Sequence, residues 1–201
     1  MRSVTRAALA AALFVPSVIA AQNTPAASNR WNIDPVHSAV NFRVRHLGIS
    51  WVNGAFRQWS AEFVYDPAHP EASSVTAHIQ TASIDTQNPR RDADLKQNYL
   101  YADSFPEITF VSRRVDADRP EHLRITGDLT MHGVTRPVLL DTDVGGIVST
   151  PRGRRAAFSA TTTLDRKDFG MTFSGVIEGV RVVGDEVRIS IDIEATEAIG
   201  P

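Results

Sequence analysis

Six histidines are the side chains best suited to proton transfer or metal binding: His37, His46, His69, His78, His122 and His132. Two imidazoles share one metal most readily at i,i+2 on a strand or i,i+4 on a helix, where they stand on one face. No pair here has either spacing. Cysteine is absent, which excludes disulfide staples, thiolate metal sites and cysteine nucleophiles. The chain contains no G-x-S-x-G, H-E-x-x-H, P-loop or dinucleotide glycine fingerprint. Charged residues crowd at Arg90, Arg91, Asp92 and Asp94, and again at Asp165, Arg166, Lys167 and Asp168. Mixed-sign clusters of this kind are first of all solvated ion pairs worth little each. The alternative is a basic rim around a barrel mouth, meeting a phosphate or carboxylate head group. Neither a Ser-His-Asp nor a paired-carboxylate arrangement follows from the spacing. No catalytic residue, metal site or cofactor is expected.

The elements that must position these residues are strands. Apolar residues alternate with polar ones at period two through Val40–His46, Trp59–Tyr65, Val75–Gln80, Ile108–Ser112, Leu123–Met131, Val138–Val144, Ala156–Leu164 and Val187–Ala195. Several runs reach nine to eleven residues, or about 30 Å at roughly 3.3 Å per residue. Long, one-face-apolar antiparallel strands without edge protection point to a closed sheet. One segment reads as helix. Asn88 can cap it, Pro89 suits its first position, and Leu95 with Tyr99 makes an i,i+4 apolar pair. A second short turn is expected at Asp165–Phe169, and a hairpin turn at His132-Gly133. Gly127 suits a bulge or tight turn.

Composition sets the class. The chain has 201 residues, 42% of them hydrophobic, and a net charge of −2 from 21 Lys+Arg and 23 Asp+Glu. That is enough apolar material for one real core. The balanced charge argues against nucleic acid as a partner, because phosphate binding needs a clustered positive field. Arg2 and Arg6 precede an apolar run from Ala7 to Val15, then Pro16 and the small or modest residues Val18-Ile19-Ala20 ahead of a cut. This is the layout of a signal peptide over residues 1–20, too short to span a bilayer. Residues 21–29 read as a flexible lead-in, and residues 30–201 as one barrel domain. A periplasmic or secreted protein without a membrane span follows.

Five blocks in order carry a resemblance. They are Trp31-x-Ile33-Asp34-x-x-His37-Ser38-x-Val40-x-Phe42-x-Val44-x-His46-Leu47 with Gly54-x-Phe56; Ile84-Asp85-Thr86 with Arg91-Asp92-x-x-Leu95; Phe105-Pro106-Glu107-Ile108-Thr109-Phe110; Gly127-x-Leu129-Thr130-Met131-His132-Gly133-Val134-Thr135 with Pro137-Val138; and Arg166-x-Asp168-Phe169-Gly170-Met171 with Gly184-Asp185-x-Val187. The chain resembles the YceI-like family of exported bacterial lipid-binding proteins from about Trp31 to Glu197. The resemblance implies an all-β, extended eight-stranded antiparallel lipocalin-like barrel with a short helical insertion. It implies a lumen for a long apolar chain, and no catalytic residues. The ligand class implied is a polyisoprenoid, quinone-like or fatty-acid-type amphiphile, held for transport, storage or scavenging.

Each CH₂ taken out of water contributes about 0.8 kcal/mol. A long chain therefore binds without a single hydrogen bond, provided the lining is apolar. The expected lining is Phe42, Trp59, Phe63, Phe110, Met131, Phe158 and Ile191; the expected rim is His46, Arg91 and Arg166. Two other readings stay open: a lipid-acting isomerase or cyclase on a barrel scaffold, and a solid-core stress or interaction protein. Ligand identity, a homodimer, and a membrane-borne redox or lipid partner are also left open by the residues.

Overall fold

The computed structural model describes residues 29–119, 121–177 and 179–198; the expected signal peptide, and the lead-in up to residue 28, lie outside the described residues. Period-two alternation builds nearly all of what is described. The strands are β1 (Arg30–Ile33), β2 (Ala39–His46), β3 (Ser50–Phe56), β4 (Trp59–Val64), β5 (Ser74–Gln80), β6 (Ile84–Asp85), β7 (Glu107–Arg119), β8 (His122–Met131), β9 (Val134–Thr150), β10 (Gly153–Asp165), β11 (Val176–Ile177), β12 (Val180–Arg181) and β13 (Val183–Glu197). The main sheet runs β1-β4-β5-β7-β8-β9-β10-β13, and β13 pairs back onto β1, closing the barrel. Every pairing is antiparallel.

The barrel has eight staves because two of them are bent. β13 pairs with β2 along Val183–Asp192 and with β1 along Ala195–Glu197, so β1 and β2 form one stave. β3 and β4 form the next, separated only by Arg57 and Gln58. Closure leaves no long open edge, which is how such strands avoid pairing with other chains. The expected eight-stranded antiparallel barrel is the observed architecture.

Two stave halves were missed by alternation: β1, whose four residues are too few to show a period, and β3. No strand was expected at Ser50–Phe56, because its inward parity reads Val52, Gly54, Phe56 and the glycine interrupts the apolar face. The glycine has a packing cause. A Cβ at Gly54 would lie 2.3 Å from the Phe42 ring on β2, so the absent side chain is the room that ring occupies. Gly127 does the same for Phe110, whose ring would lie 2.4 Å from an added Cβ. It also sits where the β7–β8 register shifts, between Ser112 and Arg114. Glycine thus serves close packing and a bulge together.

The helical insertion follows its local signals. Helix α1 (Pro89–Asp94) starts with Pro89, and the Asn88 side chain accepts from the Arg91 N–H. It widens into a single π-type turn over Leu95–Tyr99, where Leu95 packs against the core. His132 and Gly133 make the β8–β9 hairpin turn with φ of 53° and 73°, the left-handed pair that matches strand twist. A 3₁₀ turn occupies Arg166–Phe169, its N–H of Lys167 capped by the Asp165 carboxylate.

Candidate functional site

The inward parity of the staves borders a cavity of 180 Å³, lined by 30 residues of which none is ionisable. All but a handful of the lining side chains are apolar; Asn41, Ser73, Ser74, Thr142 and Thr162 are the exceptions. Alternation positions the lining: Ile108 and Phe110 come from β7, Ile125 and Leu129 from β8, Phe158 and Ala160 from β10. One end is closed by aromatic rings. Phe158 meets Phe63 edge-on at 4.8 Å and Tyr65 at 5.0 Å. Burial there pushes the Tyr65 hydroxyl above its ordinary pKa, so it stays neutral at physiological pH. Beside it the Trp31 indole N–H donates to the Tyr65 carbonyl at 3.0 Å.

Phe42, Trp59, Phe63 and Phe110 all border this cavity, as do Met131, Phe158 and Ile191. The structure therefore brings together every residue read from the sequence as lining. The three rim residues are placed elsewhere, and none borders the cavity. His46 ends β2, opposite Ser50 and Val183. Arg91 donates from Nε to Thr86 Oγ1 and from Nη2 to the Thr86 carbonyl, each at 2.7 Å. The buried Asp92 takes the Thr86 N–H at 2.9 Å and its hydroxyl as well, so this pair ties the helix to β6. Arg166 is 4% exposed. It donates to the carbonyls of Gly184, Met171 and Phe173, and pairs with Asp185 at 3.0 Å. Its fork is spent on holding the chain together, leaving no geometry for a head group.

Two polar groupings escaped the spacing argument because they join residues far apart in sequence. Each ring nitrogen of the buried His122 faces a carboxylate at 3.0 Å, Asp141 on one side and Asp143 on the other. These lie on the outward parity of β9, away from the lumen. Asp34, His37 and Glu194 converge within 4.8 Å, a spacing that could hold a metal ion. Arg155 Nη1, however, donates to both carboxylates, so the acidic pair already faces a fixed cation. The His37 hydrogen bond, chiefly, holds the Asp34 carboxyl down at about 2.

Two further depressions exist. The larger, 1420 Å³, is an open concavity on the outer sheet face bearing Arg43, Arg136 and Arg188 with Asp141, Asp165 and Glu186. Its mixed charge and exposure make it ordinary surface. The other, 580 Å³, lies over the bend between the first two staves. There the β1–β4 ladder stops at Trp31–Phe63 and the β2–β3 ladder starts at Val40–Phe56. Ile33, Val40, Phe56, Trp59, Ala61 and Phe63 border both this cleft and the lumen. Among the described residues the apolar lumen is the candidate site, a cavity inside the barrel whose lining is almost wholly apolar.

Comparison with known proteins agrees with that architecture. The model of the YceI-like domain matches residues 31–195. Protein YceI of Shigella flexneri is 38% identical over 160 residues, covering 79% of this chain and 83% of its own. A UPF0312 protein of Pseudomonas savastanoi pv. phaseolicola is 38% identical over 141 residues, 69% of this chain and 73% of its own. Among solved structures, Campylobacter jejuni YceI superposes with a TM-score of 0.67 at 30% identity, covering 77% of this chain and 90% of that one. A polyisoprenoid-binding domain from Saccharophagus degradans shares the fold at a TM-score of 0.64 and 13% identity, covering 85% and 99%.

Proposed function

Because the chain belongs to the YceI-like family, we propose that it is an exported lipid-binding protein that holds a long apolar chain in its barrel lumen. The observation that carries this reading is the cavity inside the barrel whose lining contains no ionisable side chain. Such a lining favours methylenes over charged groups, and each buried CH₂ contributes about 0.8 kcal/mol. An isomerase or cyclase would need an acid or base aimed at its substrate, and the lumen lining offers none. A solid core would leave no void of this volume. The binding of a polyisoprenoid by the Saccharophagus degradans domain supports an isoprenoid-type chain as the ligand here. Transport, storage or scavenging in the periplasm or outside the cell fits the leader read at residues 1–20. Among the described residues no helix is long and apolar enough to cross a membrane.

At 180 Å³ the lumen is smaller than the roughly 300–1,000 Å³ usual for small-molecule sites. Admission of a long chain therefore requires lining side chains to swing aside. The decisive experiment is mass spectrometry of an organic extract from natively purified protein, with thermal unfolding before and after delipidation. A recovered apolar chain and a lower midpoint after delipidation are expected, since a ligand of the native state adds RT ln(1 + [L]/Kd). An empty extract with equal midpoints would overturn the reading.

A further inference from the structure

Thr142 stands in the lumen wall on β9, opposite Leu123 of β8 and Ala160 of β10. It is 3% exposed, and its Oγ1 has no hydrogen-bond partner among the described residues. A hydroxyl in that state has given up water and received nothing in return. Valine would occupy the same volume without that loss, and the neighbouring wall positions are indeed apolar. The lumen holds a second hydroxyl of this kind. Ser73 Oγ, in the connection before β5, borders the same cavity and is likewise unpartnered. The other buried side-chain atoms without partners, Thr81 Oγ1 and His132 Nε2, belong to residues that do not border it.

The rest of the lining decides what can answer these hydroxyls. With no ionisable side chain in the wall, a phosphate or carboxylate drawn inside would lose its hydration and meet no cation. A neutral oxygen carries no such penalty. A threonine hydroxyl both donates and accepts, so it can serve a carbonyl or an alcohol.

Resting on the lipid-binding reading above, we infer that Thr142 is the polar anchor of the lumen, and that the ligand is an apolar chain carrying a neutral oxygen, as in an alcohol, ketone, quinone or ester. Ser73 supplies the second hydroxyl. Thr142 lies two rungs, one same-face position, from the Val144–Phe158 pair, whose phenylalanine belongs to the aromatic plug. The oxygen therefore sits toward the plugged end, and the chain runs from there toward Met131.

The test is a titration of delipidated protein with farnesol, with the hydrocarbon farnesene and with farnesyl phosphate. Wild type should bind farnesol roughly three- to tenfold more tightly than farnesene, the span of one neutral hydrogen bond. Thr142→Val should bring that ratio to about one without weakening farnesene, and Thr142→Ser should restore it. Thermal unfolding of Thr142→Val should match or exceed wild type, since it loses no bond, whereas Thr142→Ser should fall slightly for its lost methyl. Equal binding of farnesol and farnesene by wild type would overturn the anchor while leaving lipid binding intact. So would a ratio that survives Thr142→Val, or farnesyl phosphate binding most tightly in both proteins. Binding of none of the three to wild type would overturn the lipid reading itself, and the anchor with it.

Discussion

Arg166 and Thr142 lie equally deep, 4% and 3% exposed, and their surroundings are opposite. The guanidinium meets three backbone carbonyls and a carboxylate. The hydroxyl stands in a largely apolar wall and has no hydrogen-bond partner among the described residues. A buried charge survives in a fold only when its geometry is fully answered; Arg166 is answered by the chain itself and is architecture. A buried polar group the chain leaves unanswered is where an outside molecule can contribute. The basic residue read from the sequence as a rim contact is held by the chain itself, and the unanswered threonine is the place to test for a ligand contact.

The largest expected effect tests Arg166 as a strut. Arg166→Met keeps the length of the side chain and removes its donors. Three carbonyls then lose their partner, while Asp185 keeps Lys167 at 2.8 Å. A loss of about 3–5 kcal/mol is expected, the range for breaking a buried pair, read from the urea midpoint at unchanged slope. A loss under about 1 kcal/mol, the scale of a surface ion pair, would make Arg166 an accessory rather than a strut. The lipid load per folded molecule should not change.

Next come the two glycines against the lumen rings. At Gly127 an added Cβ would meet the Val111 carbonyl oxygen at 2.6 Å as well as the Phe110 ring. At Gly54 it would meet only side-chain atoms, of Phe42 and Thr86. Backbone yields less readily than a ring. Gly127→Ala should cost near the top of the roughly 1–3 kcal/mol typical of overpacking, and Gly54→Ala near the bottom. Gly54→Ala should still weaken ligand binding, because it drives the Phe42 ring into the lumen. Equal costs at the two sites would remove the distinction between rigid and movable wall.

Ala160→Trp probes the cavity without touching either polar group. Ala160 borders the lumen, and in a filled core the indole would cost about 1–3 kcal/mol. With 180 Å³ of open space, the delipidated protein should lose less than that while its lipid load falls several-fold. Thr161→Lys, on the exposed parity, should stay within about ±0.5 kcal/mol. Unfolding of delipidated Ala160→Trp alone would mean a full interior at that level.

What the sequence makes legible here follows from range. Side-chain parity is local, so Phe42, Phe110 and Phe158 could be assigned to one face from alternation, and the cap of Asn88 from its own turn. Ser50–Phe56 was illegible as a strand because the reason for Gly54 lies on the neighbouring stave, in Phe42. Arg166 was misplaced for the same reason: its partners Gly184 and Asp185 arrive from the start of β13, 18 and 19 residues later. Thr142 could be placed on the inward parity from β9 alone. That nothing bonds it depends on Leu123 and Ala160, which only closure brings alongside.

The smallest expected effect concerns a polar group intermediate between strut and anchor. Asp34 is answered by His37, by the Val36 N–H and by Arg155, but it stands only partly buried, in the connection between β1 and β2. The His37 hydrogen bond leads in lowering its carboxyl from 3.8 to about 2 in the folded protein. A depressed folded value gives stability that is complete above the unfolded value and lost as pH falls through the folded one. The contribution of Asp34 should therefore be constant at neutral pH and fade between pH 3.8 and about 2. Asp85 and Asp128 are lowered too, Asp85 mainly by the Gln87 N–H and Asp128 by Arg113, so acid weakens wild type through several groups at once. The part owed to Asp34 is isolated by Asp34→Asn, which cannot titrate. Its urea-unfolding free energy should lie below wild type at neutral pH, and the gap should narrow through that acid window. A gap that stays constant there would mean the carboxylate contributes packing rather than charge. A gap that widens would reverse the sign and show that Asp34 is held above its unfolded value.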